Sequence, residues 1–274
     1  MADVMGEPCV SPPWAGNVAD AIARTSVRTE LLVGDTSLRR PSESCRFHVW
    51  SDSLPAGALC RLDEDVLVTS PEFTLVQLAP LVDEMTLLGY AYELCGCFVP
   101  LTEGLANRRP LMCAEGLRRM VGSLPACRGV RSMRLCAEYA RDRAASPKEA
   151  LLGQLLALPR RLGGAGLGGL ELNASVDVGP GLYVDVSWPG SDLVLEYESY
   201  EVHLDKRVFA HDSMRRALLR EAGHEVITVT WEQLRNPAEM ERIINIARDR
   251  IVPDERALGE GWRSRQRALM ARLV

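Results

Sequence analysis

Asp185 stands in the run Val184-Asp185-Val186, and Glu196 and Glu198 flank Tyr197 a short way downstream. Both runs have the β-branched and aromatic composition of strands. Residues two apart on a strand point to the same side, so Glu196 and Glu198 project together. Pairing of the two runs brings Asp185 alongside. Carboxylates crowded on one face repel each other, and an isolated buried carboxylate is strongly disfavoured. A divalent cation with a preference for oxygen, Mg²⁺ or Mn²⁺, removes the conflict. Such an ion polarises a phosphoryl oxygen and lowers the pKa of its bound water, which is the chemistry of phosphodiester hydrolysis. A solvated acidic sheet edge is the alternative that this spacing leaves open.

The elements that must position these acids can be read in the flanking sequence. Ser146-Pro147-Lys148-Glu149 has an N-cap serine, proline at the first helical position and an acid at capping-box spacing. It opens a helix expected to stop at Pro159. The glycine-rich stretch 163–169 lacks the lysine and serine or threonine of a phosphate loop, and it reads as a flexible connector. Strands are expected over Leu170–Val178, Leu182–Ser187 and Leu193–Tyr197, then a helix from about Phe209 to Ala222 capped by Gly223. A β-branched strand, Glu225–Trp231, and a helix, Ala238–Arg250, follow. The order α-β-β-β-α-β-α argues for one α/β domain.

The run Glu171-Leu172-Asn173, Val176, Gly181, Asp185-Val186-Ser187-Trp188-Pro189, Glu196-Tyr197-Glu198-Ser199 and His203 resembles the Vsr-like (very-short-patch-repair-like) branch of PD-(D/E)XK nucleases. Asp212, Arg215, Arg216, Leu218, Gly223 and Val226-Ile227 extend the likeness, and Ser146 with Glu149 matches that branch's upstream helix. The resemblance covers roughly residues 146–250. It implies a restriction-endonuclease-like fold and a Mg²⁺- or Mn²⁺-dependent DNA endonuclease. Asp185 and Glu196 would be the central metal ligands, with Glu149 as a third carboxylate or a group orienting water. Glu198 takes a position where the branch commonly has aspartate. His203 would be a proton relay or phosphate contact. Arg215 and Arg216 would sense phosphate or pair with Asp212. Two departures stand out: the E-x-D-G element is Glu196-Tyr197-Glu198-Ser199 here, and the nearest downstream lysine is Lys206. They motivate a second reading, a catalytically inactive nuclease-fold regulator that binds DNA.

The first half carries a weaker likeness. His48, Leu54-Pro55, Val68 to Leu75 and Leu78-Ala79 are similar to the segment ahead of the nuclease-like domain in AbiEi-type antitoxin-like proteins of abortive-infection systems. That likeness implies a toxin partner. Residues 1–17 read as an irregular arm, with a short helix from Val18 to Arg24 behind Asn17. Strands are expected at 31–33 and 45–50, a hairpin-like region over 54–69, and a helix opened by Ser70-Pro71. Further helices are expected from about Val82 to Cys95, Cys113 to Leu124 and Arg128 to Arg143, with a polar loop from Pro100 to Pro110. The organisation is therefore a mixed α+β region over 1–145, a restriction-endonuclease-like domain over 146–250, and a basic tail over 251–274.

Composition bounds the rest. A net charge of -5 gives no global case for a polyanionic partner. Locally, Arg131, Arg134 and Lys148 belong to a strongly basic stretch, 118–161, that suits phosphate binding and equally a solvated helix surface. The eight cysteines form no CxxC, so reduced, mostly buried thiols are expected rather than a zinc site or a disulfide framework. Without a secretory pattern or a long apolar run, a cytoplasmic location with no membrane association is the expectation.

Overall fold

The structure is a computed structural model. It describes residues 28–40, 42–64, 66–101, 104–176, 182–198, 206–255 and 257–274, and of 206–213 the backbone alone. The expected arm, the helix after Asn17, Ser199 and His203 lie outside the described residues, as does the Asp212 side chain. Among the described residues no helix is long and apolar enough to cross a membrane.

Strands β1 (Thr29–Val33) and β2 (Cys45–Val49) pair in parallel. β3 (Leu59–Arg61) and β4 (Leu67–Thr69) form an antiparallel hairpin. α1 (Pro71–Leu78) starts where its sequence says it must: the Ser70 hydroxyl accepts from Phe73 N, and Pro71 occupies the first turn. α2 (Glu84–Cys95) is capped by Asp83. Next come β5 (Phe98–Pro100) and β6 (Leu105–Asn107), an antiparallel pair whose second strand lies inside the stretch expected to be a loop. α3 (Ala114–Ser123) and α4 (Val130–Tyr139) follow. α4 is shorter than expected. Arg143 has φ 68, in the left-handed region, and its N–H goes to Cys95 O rather than into a helical turn.

The second half holds α5 (Pro147–Ala157), β7 (Glu171–Ser175), β8 (Tyr183–Ser187), β9 (Leu193–Glu198), α6 (Lys206–Glu221) and β10 (Glu225–Thr230). A one-turn α7 (Trp231–Leu234), α8 (Pro237–Ile251) and α9 (Glu260–Leu273) complete the chain. The α-β-β-β-α-β order is thus present. The four strands make one mixed sheet in the order β10-β9-β8-β7. β7, β8 and β9 are antiparallel neighbours; β10 lies parallel to β9, with α6 as the connection between them. Gly223, with φ 90, ends that connection as its C-cap position demands.

The chain divides into two compact units, one of Met1–Leu81 with Glu115–Arg134, the other of Val82–Ala114 with Leu135–Val274. In the first, Trp50 meets Phe73 edge-on with ring centroids 4.9 Å apart. The second unit is built around α5, which is buried on every side from Glu149 to Ala157. A helix apolar all round belongs in a core. Leu152, Leu155, Leu156, Leu158 and Leu167 are fully buried there, as are Tyr92, Leu87 and Leu88 of α2.

The glycine-rich stretch is not a connector. A 3-10 turn, Arg160–Leu162, leads into it. Ala165 N donates to Leu155 O, Gly166 N to Leu158 O and Leu167 N to Leu156 O. Ala165 and Leu167 are fully buried. Trp262 of α9 donates its indole N–H to Gly164 O at 2.7 Å, and buried Arg248 donates to Ala165 O at 2.9 Å. The glycines are there because the backbone folds onto α5 and α9, not because the segment must bend freely. Of the cysteines, Cys60, Cys95 and Cys136 are buried, Cys45, Cys97 and Cys127 half-buried, and Cys113 exposed.

Candidate functional site

The site forms where β8 and β9 part. Their ladder comprises two pairs, Val186 with Leu195 and Ser187 with Val194. One step beyond it, Tyr197 N donates to a side chain, Asp185 Oδ2, at 2.7 Å. Glu196 is therefore held next to Asp185, with β10 on its other flank pairing Thr228 to Glu196 and Thr230 to Glu198. Glu196 is 8% exposed. Asp185 keeps some accessible surface as a residue, yet protein closely surrounds its carboxyl.

Burial pushes the Asp185 carboxyl up to about 8, reinforced by the negative charges of Glu196 and Glu149 and opposed by the Tyr197 N–H and Arg215. Burial likewise raises Glu196, to about 7, with Arg215 the main opposing influence. The two acids are electrostatically strained neighbours.

Glu149 reaches the same cluster from α5. Its Oε1 accepts from the Ser146 hydroxyl at 2.9 Å; its Oε2 accepts from Ala145 N at 2.8 Å and from Asn173 Nδ2 at 2.5 Å. The Ser146 oxygen in turn accepts from Glu149 N. The capping-box spacing is thus used, and the same acid ties the start of α5 to β7. Asn173 has φ 45, in the left-handed region that asparagine tolerates better than most residues. The sequence places Asn173 in the run Glu171-Leu172-Asn173 without marking it as a partner of Glu149. Its substitution separates two roles. Asn173→Gly keeps the backbone geometry and removes the amide, and by leaving Glu149 short of a donor it is expected to cost about 1–3 kcal/mol in urea unfolding. Asn173→Ala is expected to cost more, because it adds backbone strain.

α6 supplies the cationic counterparts. Arg215 Nη1 lies 2.9 Å from Glu196 Oε2, and its Nη2 donates to Glu196 Oε1 at 3.1 Å and to Tyr183 O. Arg216 Nη1 pairs with Glu198 Oε2 at 3.4 Å. That Glu196 and Glu198 both meet α6 agrees with their projecting together. Lys148, beside Glu149, places its ammonium 3.0 Å from the centroid of the Trp231 ring, and burial lowers its pKa. Arg131 and Arg134 are exposed on α4 in the first unit, so the basic stretch 118–161 draws on both units.

The structure therefore brings together Glu149, Asp185 and Glu196, with Arg215 among them, and sets Glu198 against Arg216. Among the described residues no group of three or more His, Cys, Asp or Glu side chains is arranged to hold a metal ion. Asp185 and Glu196 alone make a two-carboxylate pair. That suits Mg²⁺, which keeps several waters and takes one or two carboxylates. Compared with known proteins, the chain matches no family model, and no curated protein or solved structure shows significant similarity to it.

Proposed function

We propose that the second unit is a Mg²⁺- or Mn²⁺-dependent DNA endonuclease of the restriction-endonuclease-like, Vsr-like kind. The observation that carries this reading is the pairing of Asp185 with Glu196 where the β8–β9 ladder stops, with the charge of Glu149 near enough to raise both. Asp185 and Glu196 would hold the ion, which supplies Lewis acidity and an activated water when bound. Glu149, its oxygens committed to Ala145, Ser146 and Asn173, fixes the helix against the sheet and adds negative potential next to the pair. Arg215, Arg216 and Lys148 provide positive charge for a phosphodiester backbone, and Arg131 and Arg134 are exposed basic residues of the first unit that would also bind phosphate. The test is plasmid incubation with Mg²⁺ or Mn²⁺. Cleavage by the wild type and none by Asp185→Asn is the expected result; equal cleavage by both rejects the site.

A second reading is favoured by the Arg215–Glu196 ion pair, which already neutralises one acid without a metal. On that reading the domain is a non-catalytic DNA-binding regulator, with a toxin as the partner that the AbiEi-like segment suggests. It predicts a gel shift that persists in EDTA, falls with salt, and is accompanied by no cleavage.

A further inference from the structure

We infer that Arg215 is a resident counter-ion that sets the cation affinity of the Asp185–Glu196 pair, and that a divalent ion enters by exchange with its guanidinium. This rests on the reading of the pair as a cation site.

The geometry is that of a competitor. The guanidinium fork engages both oxygens of Glu196, at 2.9 and 3.1 Å, while its Nη2 also reaches the Tyr183 carbonyl on the neighbouring strand. Arg215 therefore bridges the ends of β8 and β9 at the point where their own ladder has stopped. A cation coordinated by Glu196 needs one of the oxygens Arg215 holds. Two positive centres on one carboxylate in a poorly hydrated pocket repel strongly. The pair accordingly accommodates one or the other.

Release of the arginine needs no refolding. Arg215 keeps about a quarter of its side chain exposed, and its helix neighbours Met214 and Leu218 face solvent, as does Tyr183. A side-chain rotation is enough to take the fork outward. Once free, it matches a phosphate oxygen pair as well as it matched the carboxylate. Cation loading and phosphate binding both favour the outward arginine, so each promotes the other.

The experiment is calorimetric titration of the full-length protein with Mn²⁺ in the absence of nucleic acid, for the wild type, Arg215→Gln, Arg215→Lys and Asp185→Asn. Arg215→Gln is expected to bind Mn²⁺ at least tenfold more tightly than the wild type. Arg215→Lys, with a point charge and no fork, is expected to fall between them, and Asp185→Asn to lose binding. Equal or weaker binding by Arg215→Gln, with loss in Asp185→Asn, overturns the exchange and leaves the pair as a cation site. No binding by any of the four removes the site and the exchange together. A measurement on the unaltered chain guards against misfolding of the variants. The NMR signals of the Arg215 guanidinium are expected to lose protection from solvent exchange as Mg²⁺ is added; unchanged signals at saturating Mg²⁺ overturn the proposal.

Discussion

Asp185→Asn abolishes divalent-ion-dependent cleavage and, in EDTA near pH 8, raises the melting temperature: this is the result expected of a residue whose charge serves chemistry and burdens the fold. The loss of cleavage should exceed the ~10–100-fold that follows from losing a contact that merely orients a ligand, because Asp185 is proposed to hold the ion directly. The gain in stability has a separate cause. The Asp185 carboxyl is raised to about 8 by burial, then by the charges of Glu196 and Glu149. Asparagine keeps an oxygen for the Tyr197 N–H and removes the charge. A gain of about 1 kcal/mol would raise Tm by about 2–4 °C in a chain of this size.

The sign with pH follows directly. Between the ordinary carboxylate range near 4 and about 8 for Asp185, or about 7 for Glu196, the folded chain holds more protons than the unfolded one. Their contribution is full below that window and is lost as pH rises through it. In EDTA the wild type should therefore lose stability from about pH 5 to pH 8, and Asp185→Asn should lose less. Thermal scans across that range check it. A steeper decline in the variant would show that the Asp185 charge is well compensated and that the strain has been misread.

Gly164→Ala is expected to be among the most destabilising single methyl additions in the second unit. A β-carbon there would fall deep inside contact distance of the Leu158 carbonyl and within 2.5 Å of Leu158 Cβ. The obstruction is backbone as well as side chain, and the Gly164 carbonyl is held by Trp262 at 2.7 Å. Relief requires the loop to lift off α5 or α9. Overpacking of a well-filled core costs about 1–3 kcal/mol and more when the backbone must move; about 3 kcal/mol or more is expected here. Gly168 is the control. Nothing lies within 4 Å of a β-carbon at Gly168, and its φ is not in the left-handed region. Gly168→Ala should be neutral or stabilise by about 0.4–1 kcal/mol. Denaturant unfolding of the two variants checks this, and equal stabilities would mean that the segment is loose after all.

The contrast between these glycines shows what could be read in advance. The five glycines of the stretch 163–169 look alike in sequence. Their difference lies in α9, whose Arg265 backbone crowds Gly163 and whose Trp262 anchors Gly164, about a hundred residues away in the chain. Signals that act within one turn were legible. Ser70 and Ser146 cap the helices they precede, and Gly223 takes φ 90 where a helix must stop. Signals that need a distant partner were not. β6 sits in a stretch whose polarity suggests a loop, and Arg143, four residues past the end of α4, bonds to Cys95 instead of continuing the expected helix.

The candidate site divides along the same line. The two-residue spacing of Glu196 and Glu198 forecast their common orientation, and the position of Asp185 in the preceding strand forecast its approach. The commitment of Glu149 to Asn173, and of Arg215 to Glu196, depends on a left-handed residue in β7 and on the rotation of α6 about its axis. Neither has a local sequence signature.

The last helix changes what counts as the working portion of this half. The stretch proposed to be nuclease-like stops near Arg250, yet Trp262, Leu269 and Met270 are buried beyond that point. A fragment cut at Arg250 would keep each acid and arginine of the proposed chemistry and forfeit the brace that clamps the loop below α5. The piece expected to hold its own fold therefore extends past the piece that carries the proposed site residues.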